Sequence, residues 1–254
     1  MILDAFSLTG RNALVTGSSR GLGAAIAIGL AEAGANVICH GRSADGKSTC
    51  EKIRELGRKS SFYSGNVADA QTSFVLIQKT VDELGSIDIL VNNAGTIRRA
   101  PAVDFSQNDW DEIIAVNLTS VFRISQAAGR QMIKQGTKGK IVNIASLLSF
   151  QGGILVPAYA AAKGGVAQLT KALANEWAAK DINVNAIAPG YMATDNTTAL
   201  RSDPQRSRQI LERIPAGRWG EPSDVVGAAL YLCSSASDYV HGHVLTVDGG
   251  WMGR

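Results

Sequence analysis

Short runs of β-branched and aliphatic residues alternate along the chain with longer segments of helical pattern. The predicted strands cover 12–17, 36–40, 60–65, 87–95, 139–146, 181–190 and 243–250. The predicted helices cover 21–35, 44–57, 69–85, 107–135, 157 to about 180, and 222 to about 235. Regular alternation favours right-handed crossovers between parallel strands. We therefore predict an α/β protein with a single-domain Rossmann fold over 1–254, a doubly wound parallel sheet of about seven strands with helices on both faces.

Composition narrows the possible partners and compartments. The net charge is +3 and the basic residues are scattered, so no nucleic-acid partner is expected. Cys39, Cys50 and Cys233 are odd in number and lack metal-ligand spacing, which favours a reducing compartment, and we expect a cytoplasmic protein. The first residues show no signal-peptide pattern, and no run of about 18 apolar residues predicts a membrane span.

A glycine-rich turn joins the first predicted strand to the first predicted helix. In "VTGSSRGLGAAI", Gly17 permits a sharp turn, Gly21 lets the backbone approach a pyrophosphate, and Gly23 permits close contact between helix and strand. The helix N-terminus then offers free N–H groups to the anion. The predicted cofactor-binding residues of this turn are Gly17, Ser19, Arg20, Gly21, Leu22 and Gly23.

The end of the second strand bears on the choice between NADP and NAD. In "CHGRS", Gly41 occupies the position where a carboxylate would bind the ribose hydroxyls of NAD, and Arg42 follows it. Arg20 lies in the glycine turn on the same side. Two guanidinium groups without an acidic residue favour the 2′-phosphate of NADP(H), while NAD(H) stays possible.

The segment "YAAAK" places Tyr159 and Lys163 on one helix face, four residues apart. At an effective dielectric of about 20, a cation about 4 Å away stabilises a phenolate by roughly 4 kcal/mol, or about 3 pKa units. Such a shift would make Tyr159 an acid–base group near neutral pH. Ser146, at the end of the preceding strand, could hydrogen-bond the reacting oxygen of a substrate.

Taken together, these motifs resemble the short-chain dehydrogenase/reductase family over essentially the whole chain. They occur in family order: "TGSSRGLG", "NNAG" (92–95), "AVNLTS", Ser146, "YAAAK" and "APGYMAT" (188–194). The resemblance implies an NAD(P)-dependent oxidoreductase with Tyr159 as general acid/base and Lys163 lowering its pKa and binding the nicotinamide ribose. It also implies that Ser146 polarises the reacting oxygen and that Asn117 holds a water that relays protons.

The resemblance also implies further cofactor contacts. They would come from Asn66 and Val67 beside the adenine, from Asn93, Ala94 and Gly95 under the adenosine ribose, and from Pro189, Gly190, Met192 and Thr194 at the nicotinamide. Where the family often has an aspartate at the end of the third strand, this chain has Asn66.

Further segments, among them "SFQGG" (149–153), "NAIAPGYMAT" and "RIPAGRWG" (213–220), resemble members of the family that act on sugar acids. This resemblance implies a small keto or hydroxy sugar acid of the 2-dehydro-3-deoxygluconate type as substrate. Arg98 and Arg99 follow the "NNAG" turn, and either could bind a carboxylate. The predicted substrate-binding residues are Arg98, Ser146, Ser149, Gln151 and Tyr159. Residues 194–213 are predicted to form a mobile substrate lid, with Asn196 and Arg201 on it.

Three other functions stay open at this point. Gluconate 5-dehydrogenase and 3-oxoacyl-carrier-protein reductase are alternatives within enzymes, and a non-catalytic dinucleotide-binding regulator is the alternative outside them. The complete set of Asn117, Ser146, Tyr159 and Lys163 argues against the regulator. An acyl chain would call for an apolar lid, whereas residues 194–213 are polar.

Several polar clusters have simpler interpretations. His241 and His243 have no nearby carboxylate or cysteine to complete a metal site, so no metal is expected. The acidic residues Asp104, Asp109, Asp111 and Glu112 suit the solvated start of a long helix. We expect Trp219 to serve packing.

The family resemblance also implies a homotetramer. Small residues that face outward on the two long helices, 107–135 and 157–180, are expected to let a partner helix approach closely. The candidates are Ala127, Ala128, Ala172 and Ala174.

Overall fold

The computed structural model describes residues 1–43 and 46–254. It contains a seven-stranded parallel sheet in the order β3-β2-β1-β4-β5-β6-β7. The strands are β1 (Asn12–Val15), β2 (Asn36–Gly41), β3 (Ser60–Ser64), β4 (Ile89–Asn92), β5 (Gly139–Ile144), β6 (Ile182–Pro189) and β7 (Val244–Val247). The predicted single-domain, doubly wound α/β fold is confirmed.

Helices cover both faces of the sheet. They are α1 (Gly21–Glu32), α2 (Lys47–Glu55), α3 (Ala70–Leu84), α4 (Gln107–Ile114), α5 (Ser120–Gln135), α6 (Pro157–Trp177), α7 (Thr198–Ser202), α8 (Pro204–Arg213) and α9 (Val226–Cys233). Among the described residues, no helix combines the length and the apolar character needed to cross a bilayer.

Two apolar cores sandwich the sheet. On one face, Leu30 of α1, Ile53 of α2 and Ala229 of α9 are packed against strand residues such as Val37. The other core includes residues of α3, α5 and α6 and the opposite side of the same strands. Because both faces are covered, β1, β4, β5 and β6 consist entirely of buried residues, as expected for a parallel sheet inside a protein.

Most predicted boundaries shift by a few residues, and three of the differences bear on the site or on the described range. The predicted helix over 107–135 is interrupted by one turn of π-helix, Ala115–Thr119, between α4 and α5. The predicted strand over 87–95 is shorter, because its last residues turn into the cleft after Asn92. The predicted helix over 44–57 is α2 from Lys47 onward, and its residues 44–45 lie outside the described residues.

The first glycine turn and the "NNAG" turn meet where the strand order reverses between β1 and β4. Asn93 Nδ2 donates to the carbonyl oxygens of Thr16 and Gly17, both at 2.9 Å. Gly17 has φ +64°, and a Cβ atom there would lie 2.8 Å from Ala94 Cα. At Gly23, an added Cβ would overlap with the Gly17 carbonyl oxygen and with Asn93 Nδ2. Side chains therefore have no space at the centre of this junction.

We expect Gly23→Ala to destabilise the fold and to weaken dinucleotide binding together. Its methyl group would push on the backbone of Gly17 and on Asn93, and overpacking of this kind costs about 1–3 kcal/mol. Gly227→Ala in α9 is the control, because no atom lies within 4 Å of the added Cβ. Denaturant unfolding and NADPH titration check both variants. An unchanged unfolding midpoint for Gly23→Ala would contradict the prediction.

Candidate active site

A cleft of about 420 Å³ opens at the carboxyl ends of β1, β2 and β4. This is the position at which doubly wound sheets bind ligands, because the loops on either side of the reversal point diverge. Most residues predicted to bind the cofactor line it: Gly17, Ser19, Arg20, Gly21, Leu22, Gly23, Arg42, Asn66, Val67, Asn93, Ala94, Gly95, Tyr159, Lys163 and Thr194. The sequence therefore located the residues of this cleft largely from local motifs.

Three predicted cofactor residues lie elsewhere. Pro189 and Gly190 line the neighbouring pocket. Met192 is 5% exposed and packs in the core on the α1 side, where a Cβ on Gly220 would overlap with its sulfur atom. Its side chain is thus turned away from the cleft, because the chain after β6 forms a bridge between Met192 and Gly220.

His40, which the sequence analysis did not select, connects three segments of the cleft. Its Nδ1 accepts from the Gly17 N–H at 3.4 Å, and its Nε2 lies 3.1 Å from the Gly65 carbonyl oxygen, to which it donates in the corresponding tautomer. Burial lowers the pKa of His40, which favours this neutral form. The only sequence signal was its position at the end of β2, in "CHG".

Both arginines predicted to bind a 2′-phosphate line the cleft and are mostly exposed. Arg20 Nε lies 3.2 Å from Asp195 Oδ2, and Arg42 Nη1 lies 4.0 Å from Glu112 Oε1. Ion pairs between side chains as exposed as these contribute at most about 1 kcal/mol each. The two guanidinium groups can therefore exchange their carboxylate partners for an incoming phosphate at small cost.

Tyr159 stands where the cleft meets a second pocket, and it lines both. Ser146, at the carboxyl end of β5, accepts a hydrogen bond from the Leu148 N–H at 3.2 Å. Its hydroxyl hydrogen is then available for its hydrogen bond with the Tyr159 phenol. Lys163 is 4% exposed and lies beneath the same ring, with Nζ 5.6 Å from the ring centroid.

The electrostatics of Tyr159 differ from the sequence prediction. Burial raises the pKa of Tyr159, while the Ser146 hydrogen bond and the charge of Arg99 lower it. Lys163 Nζ donates to the Ile144 carbonyl at 2.6 Å and lies 5.6 Å from the centre of the Tyr159 ring. Burial also lowers the pKa of Lys163 to about 8. The effect of burial outweighs that of Ser146 and Arg99, so the pKa of Tyr159 lies above its usual value, and the predicted role of Lys163 in lowering it stays a prediction.

Asn117 lies in the π-helical turn and is fully buried. Its Nδ2 donates to the Thr96 carbonyl at 2.7 Å, and its Oδ1 accepts from the Thr96 N–H at 2.9 Å. The side chain is therefore committed to the backbone that follows the "NNAG" turn. A π-helical turn inside an α-helix is frequent at functional sites, and here it places Asn117 against the floor of the cleft.

The second pocket has a volume of about 410 Å³. Of the described residues that line it, three are arginines and none is acidic. The arginines are Arg99, Arg206 and Arg213, and the other polar lining residues include Ser146, Gln151, Tyr159 and Asn196. The sequence analysis did not select Arg206, Arg213 or Trp251. Arg213 begins the segment "RIPAGRWG", and Trp251 lies in the segment "GGWMGR".

Two predicted substrate residues do not line this pocket. Arg98 Nη2 lies 2.9 Å from Glu112 Oε2, and Arg98 Nε lies 3.5 Å from Asp109 Oδ1, so the acidic start of α4 holds its side chain. Ser149 Oγ donates to the Lys163 carbonyl at 2.7 Å and fixes the backbone of α6. Gln151, by contrast, lines the pocket.

Residues 194–213 form a short 3-10 turn followed by α7 and α8, above the second pocket. Arg99 Nη2 donates to the Asn196 carbonyl at 3.2 Å, and Arg201 Nη2 donates to that of Thr194 at 3.4 Å. Ile210 of α8 is 1% exposed and packs with Leu147 and Trp251, so this end of the segment is docked on the core. Trp219 packs edge-on against Tyr191, as the sequence predicted.

The three cysteines are buried and free. His241 Nε2 lies 3.2 Å from Asn183 Nδ2. Within residues 1–43 and 46–254, no group of three or more His, Cys, Asp or Glu side chains is arranged to hold a metal ion.

Comparisons with known proteins agree with this geometry. The family model described as enoyl-(acyl carrier protein) reductase matches residues 17–252. The 2-dehydro-3-deoxy-D-gluconate 5-dehydrogenase of Dickeya dadantii (strain 3937) is 54% identical over 254 residues, which cover 100% of both chains. These matches extend over nearly the whole length, so they concern the complete fold and both pockets.

Two crystal structures are similar as well. An Agrobacterium tumefaciens protein, provisionally named a 2-deoxy-D-gluconate 3-dehydrogenase and crystallised with bound NADP, has a TM-score of 0.93 and 56% identity over 99% of this chain and 100% of its own. A gluconate 5-dehydrogenase from Burkholderia cenocepacia J2315, in complex with NADP and tartrate, has a TM-score of 0.95 and 42% identity over 100% of both chains. With the glycine turn, the cleft and the Ser146–Tyr159–Lys163 cluster in place, the chain belongs to the short-chain dehydrogenase/reductase family of oxidoreductases.

Proposed function

We propose that the protein catalyses reversible hydride transfer between NADP(H) and a small keto or hydroxy sugar acid of the 2-dehydro-3-deoxygluconate type. One observation carries the proposal: Tyr159 stands between the cleft and a pocket in which, among the residues that the structure describes, the only charged lining residues are arginines. The 54% identical Dickeya dadantii relative is named for this substrate, which supports the assignment.

Two features of the cleft fit a phosphorylated dinucleotide. The turn between β1 and α1 is closed to side chains at Gly17 and Gly23, so the pyrophosphate can approach the backbone. Arg20 and Arg42 supply two guanidinium groups at the adenosine end of the cleft. Gly41 stands at the end of β2, where a carboxylate would bind the ribose hydroxyls of NAD. When bound, NADP(H) would supply the hydride acceptor or donor. The same cleft could hold NAD(H), with the arginines solvated.

Tyr159 is the proposed general acid and base. In the direction of oxidation, its phenolate accepts the substrate hydroxyl proton as hydride leaves the carbon, and in reduction the phenol returns the proton. Ser146 would hydrogen-bond the same substrate oxygen and keep the reacting carbon on the cleft side. Arg99 favours the phenolate form by its charge, since it lowers the pKa of Tyr159.

Lys163 and Asn117 are assigned to cofactor binding and to proton relay, respectively. Lys163 Nζ is fixed by the Ile144 carbonyl and lines the cleft, where we assign it to the hydroxyl groups of the nicotinamide ribose. For Asn117 we retain the proton-relay role, which would have to use its backbone carbonyl because its side chain is committed to Thr96. Thr194, Pro189 and Gly190 are proposed to border the nicotinamide, whereas Met192 supports the loop from the core.

The alternatives are separated by substrate. A gluconate 5-dehydrogenase would use the same arginine-lined pocket, and a relative of that name has 42% identity. An acyl-carrier-protein reductase would need an apolar channel, which Arg99, Arg206 and Arg213 do not provide. A panel of 2-dehydro-3-deoxy-D-gluconate, D-gluconate, 5-keto-D-gluconate and acetoacetyl thioesters, each assayed with NADP(H) and NAD(H), decides among them. Turnover of none of these compounds would favour the non-catalytic regulator.

We also propose a cytoplasmic homotetramer. The expectation based on alanines needs correction, because Ala128 and Ala174 are buried against the sheet and only Ala127 and Ala172 keep exposed surface. Better support comes from exposed apolar side chains on the neighbouring helices α3 and α5: Phe74 (60%), Phe122 (41%) and Ile133 (43%). Exposed apolar side chains on adjacent elements are typical of surfaces that another subunit covers.

We expect Tyr159→Phe to lower kcat by at least about 100-fold, because it removes the group that transfers the proton. NADPH binding should stay within about threefold, since the ring and its packing are retained. Lys163→Ala should reduce both turnover and NADPH affinity. Stopped-flow kinetics and NADPH fluorescence titration measure the two effects. Activity of Tyr159→Phe within tenfold of the unmodified protein would exclude the proposed general acid.

Arg42→Ala should raise the KM for NADPH by about 10-fold and leave that for NADH nearly unchanged, because a charge-assisted contact to phosphate is lost. Arg20→Ala should act in the same direction. Lys52→Ala removes an exposed cation of α2 outside the cleft and serves as control. Equal effects of Arg42→Ala on both cofactors would refute the phosphate contact.

Light scattering at micromolar concentration should give four times the chain mass of 26.7 kDa. Phe122→Glu should reduce the assembled mass, because it places a charge on the proposed contact surface. Glu83→Gln, a polar change on α3, should not. A monomeric unmodified protein would contradict the proposal.

A further inference from the structure

None of the three arginines that line the second pocket takes part in an ion pair formed by the described residues. One of them is Arg213, at the end of α8, in the pocket that reaches Ser146 and Tyr159. An arginine that faces a cavity without a counter-ion is available for an anionic ligand.

Contacts with two side chains, Trp251 and Gln151, fix the position of the Arg213 guanidinium group. Its guanidinium carbon lies 4.1 Å from the centroid of the Trp251 ring, and its Nη2 approaches Gln151 Oε1 at 3.5 Å. Trp251 is 4% exposed and packs against Tyr191 at a centroid distance of 4.6 Å, so this ring is a rigid platform. Stacking on an aromatic face orients the guanidinium plane and leaves its N–H edge free for a carboxylate.

Arg206 and the two arginines that follow the "NNAG" turn are less suited to this role. Arg206 Nη1 donates to Gln209 Oε1 of the same helix at 3.2 Å, and no aromatic ring among the described residues stacks on its guanidinium group. Arg98 is paired with Asp109 and Glu112 outside the pocket. Arg99 lies near the reacting phenol, since its charge acts on Tyr159, and it also donates to the Asn196 carbonyl. A carboxylate bound by Arg99 would lie beside the reacting carbon, whereas one bound by Arg213 would lie on the wall formed by Trp251 and α8.

We propose that Arg213, held on Trp251 and beside Gln151, binds the substrate carboxylate at the end of the pocket remote from Tyr159. The reacting carbon of the substrate must then lie several bonds from its carboxylate. This inference rests on the proposed function and makes it more specific. Such a pocket selects hydroxy acids whose oxidised carbon lies near the end of the carbon chain remote from the carboxylate. It disfavours 2-hydroxy acids, in which the carboxylate adjoins the reacting carbon.

The test compares an acid with its uncharged analogue. The probes are 2-dehydro-3-deoxy-D-gluconate and its primary amide, oxidised with NADP⁺. Arg213→Ala should raise the KM for the acid by about 10- to 150-fold, because it removes a charge-assisted hydrogen bond. The same substitution should change the KM for the amide by less than about threefold. Arg208→Ala is the matched control, because it lies on the same helix and pairs with Glu212 at the exposed side. NADPH titration verifies that each variant retains its fold.

Trp251 serves as a positioning residue in this proposal, so its variants test the platform separately. Trp251→Phe keeps an aromatic face under Arg213 and should retain the preference for the acid. Trp251→Leu should raise the KM for the acid with little change in kcat. Lactate, whose carboxylate adjoins its hydroxyl-bearing carbon, should be oxidised with less than about one hundredth of the efficiency, because Arg213 cannot reach its carboxylate in a reactive pose.

Two different failures can be distinguished. If the unmodified protein prefers the acid and Arg213→Ala keeps that preference, the anchor lies elsewhere, and loss of the preference in Arg98→Ala, Arg99→Ala or Arg206→Ala would identify it. If the unmodified protein oxidises neither probe nor any sugar acid, the proposed function itself fails. Efficient oxidation of lactate would overturn the remote placement of the carboxylate.

Discussion

The structure depends on a contact between two turns that leaves no space for side chains. Gly17, Gly23 and Asn93 meet where β1 and β4 diverge, and Asn93 ties the two turns with hydrogen bonds to Thr16 and Gly17. This contact sets how closely α1 approaches the sheet, and therefore where its free N–H groups point. The cleft at the carboxyl ends of the strands is a consequence of this backbone approach.

Charge in the cleft is balanced by acids from other segments. Glu112 of α4 lies between Arg42 and Arg98, and Asp195 pairs with Arg20 at the start of the segment above the second pocket. These pairs are exposed and weak, whereas a phosphate offers charge-assisted hydrogen bonds worth about 1.5–3 kcal/mol. An incoming 2′-phosphate would thus compete with Asp195 for Arg20 and couple the adenosine end to residues 194–213.

The sequence predicted what local spacing determines. The glycine turn, the "NNAG" turn and "YAAAK" each place their residues within one turn or one helix face, so their membership of the cleft followed from secondary structure alone. The directions in which long side chains point could not be predicted from secondary structure. Lys163 points to Ile144 and Arg98 points to α4, because hydrogen-bond and charge partners from distant segments decide those directions. Arg213 and Gln151, 62 residues apart, meet only in the folded chain.

The two pockets share Tyr159, and this arrangement restricts the chemistry. In the proposed reaction, the phenol exchanges a proton with the oxygen on a carbon that faces the cleft, so the rest of the substrate must lie in the second pocket. Buried Ile210 and Trp251 dock α8 on the core, so the wall that carries Arg213 is packed against the core. Asn196, by contrast, is held through its backbone carbonyl by exposed Arg99. Residues 194–213 are therefore attached in two ways, by exposed polar contacts at their beginning and by apolar packing on the core at their end.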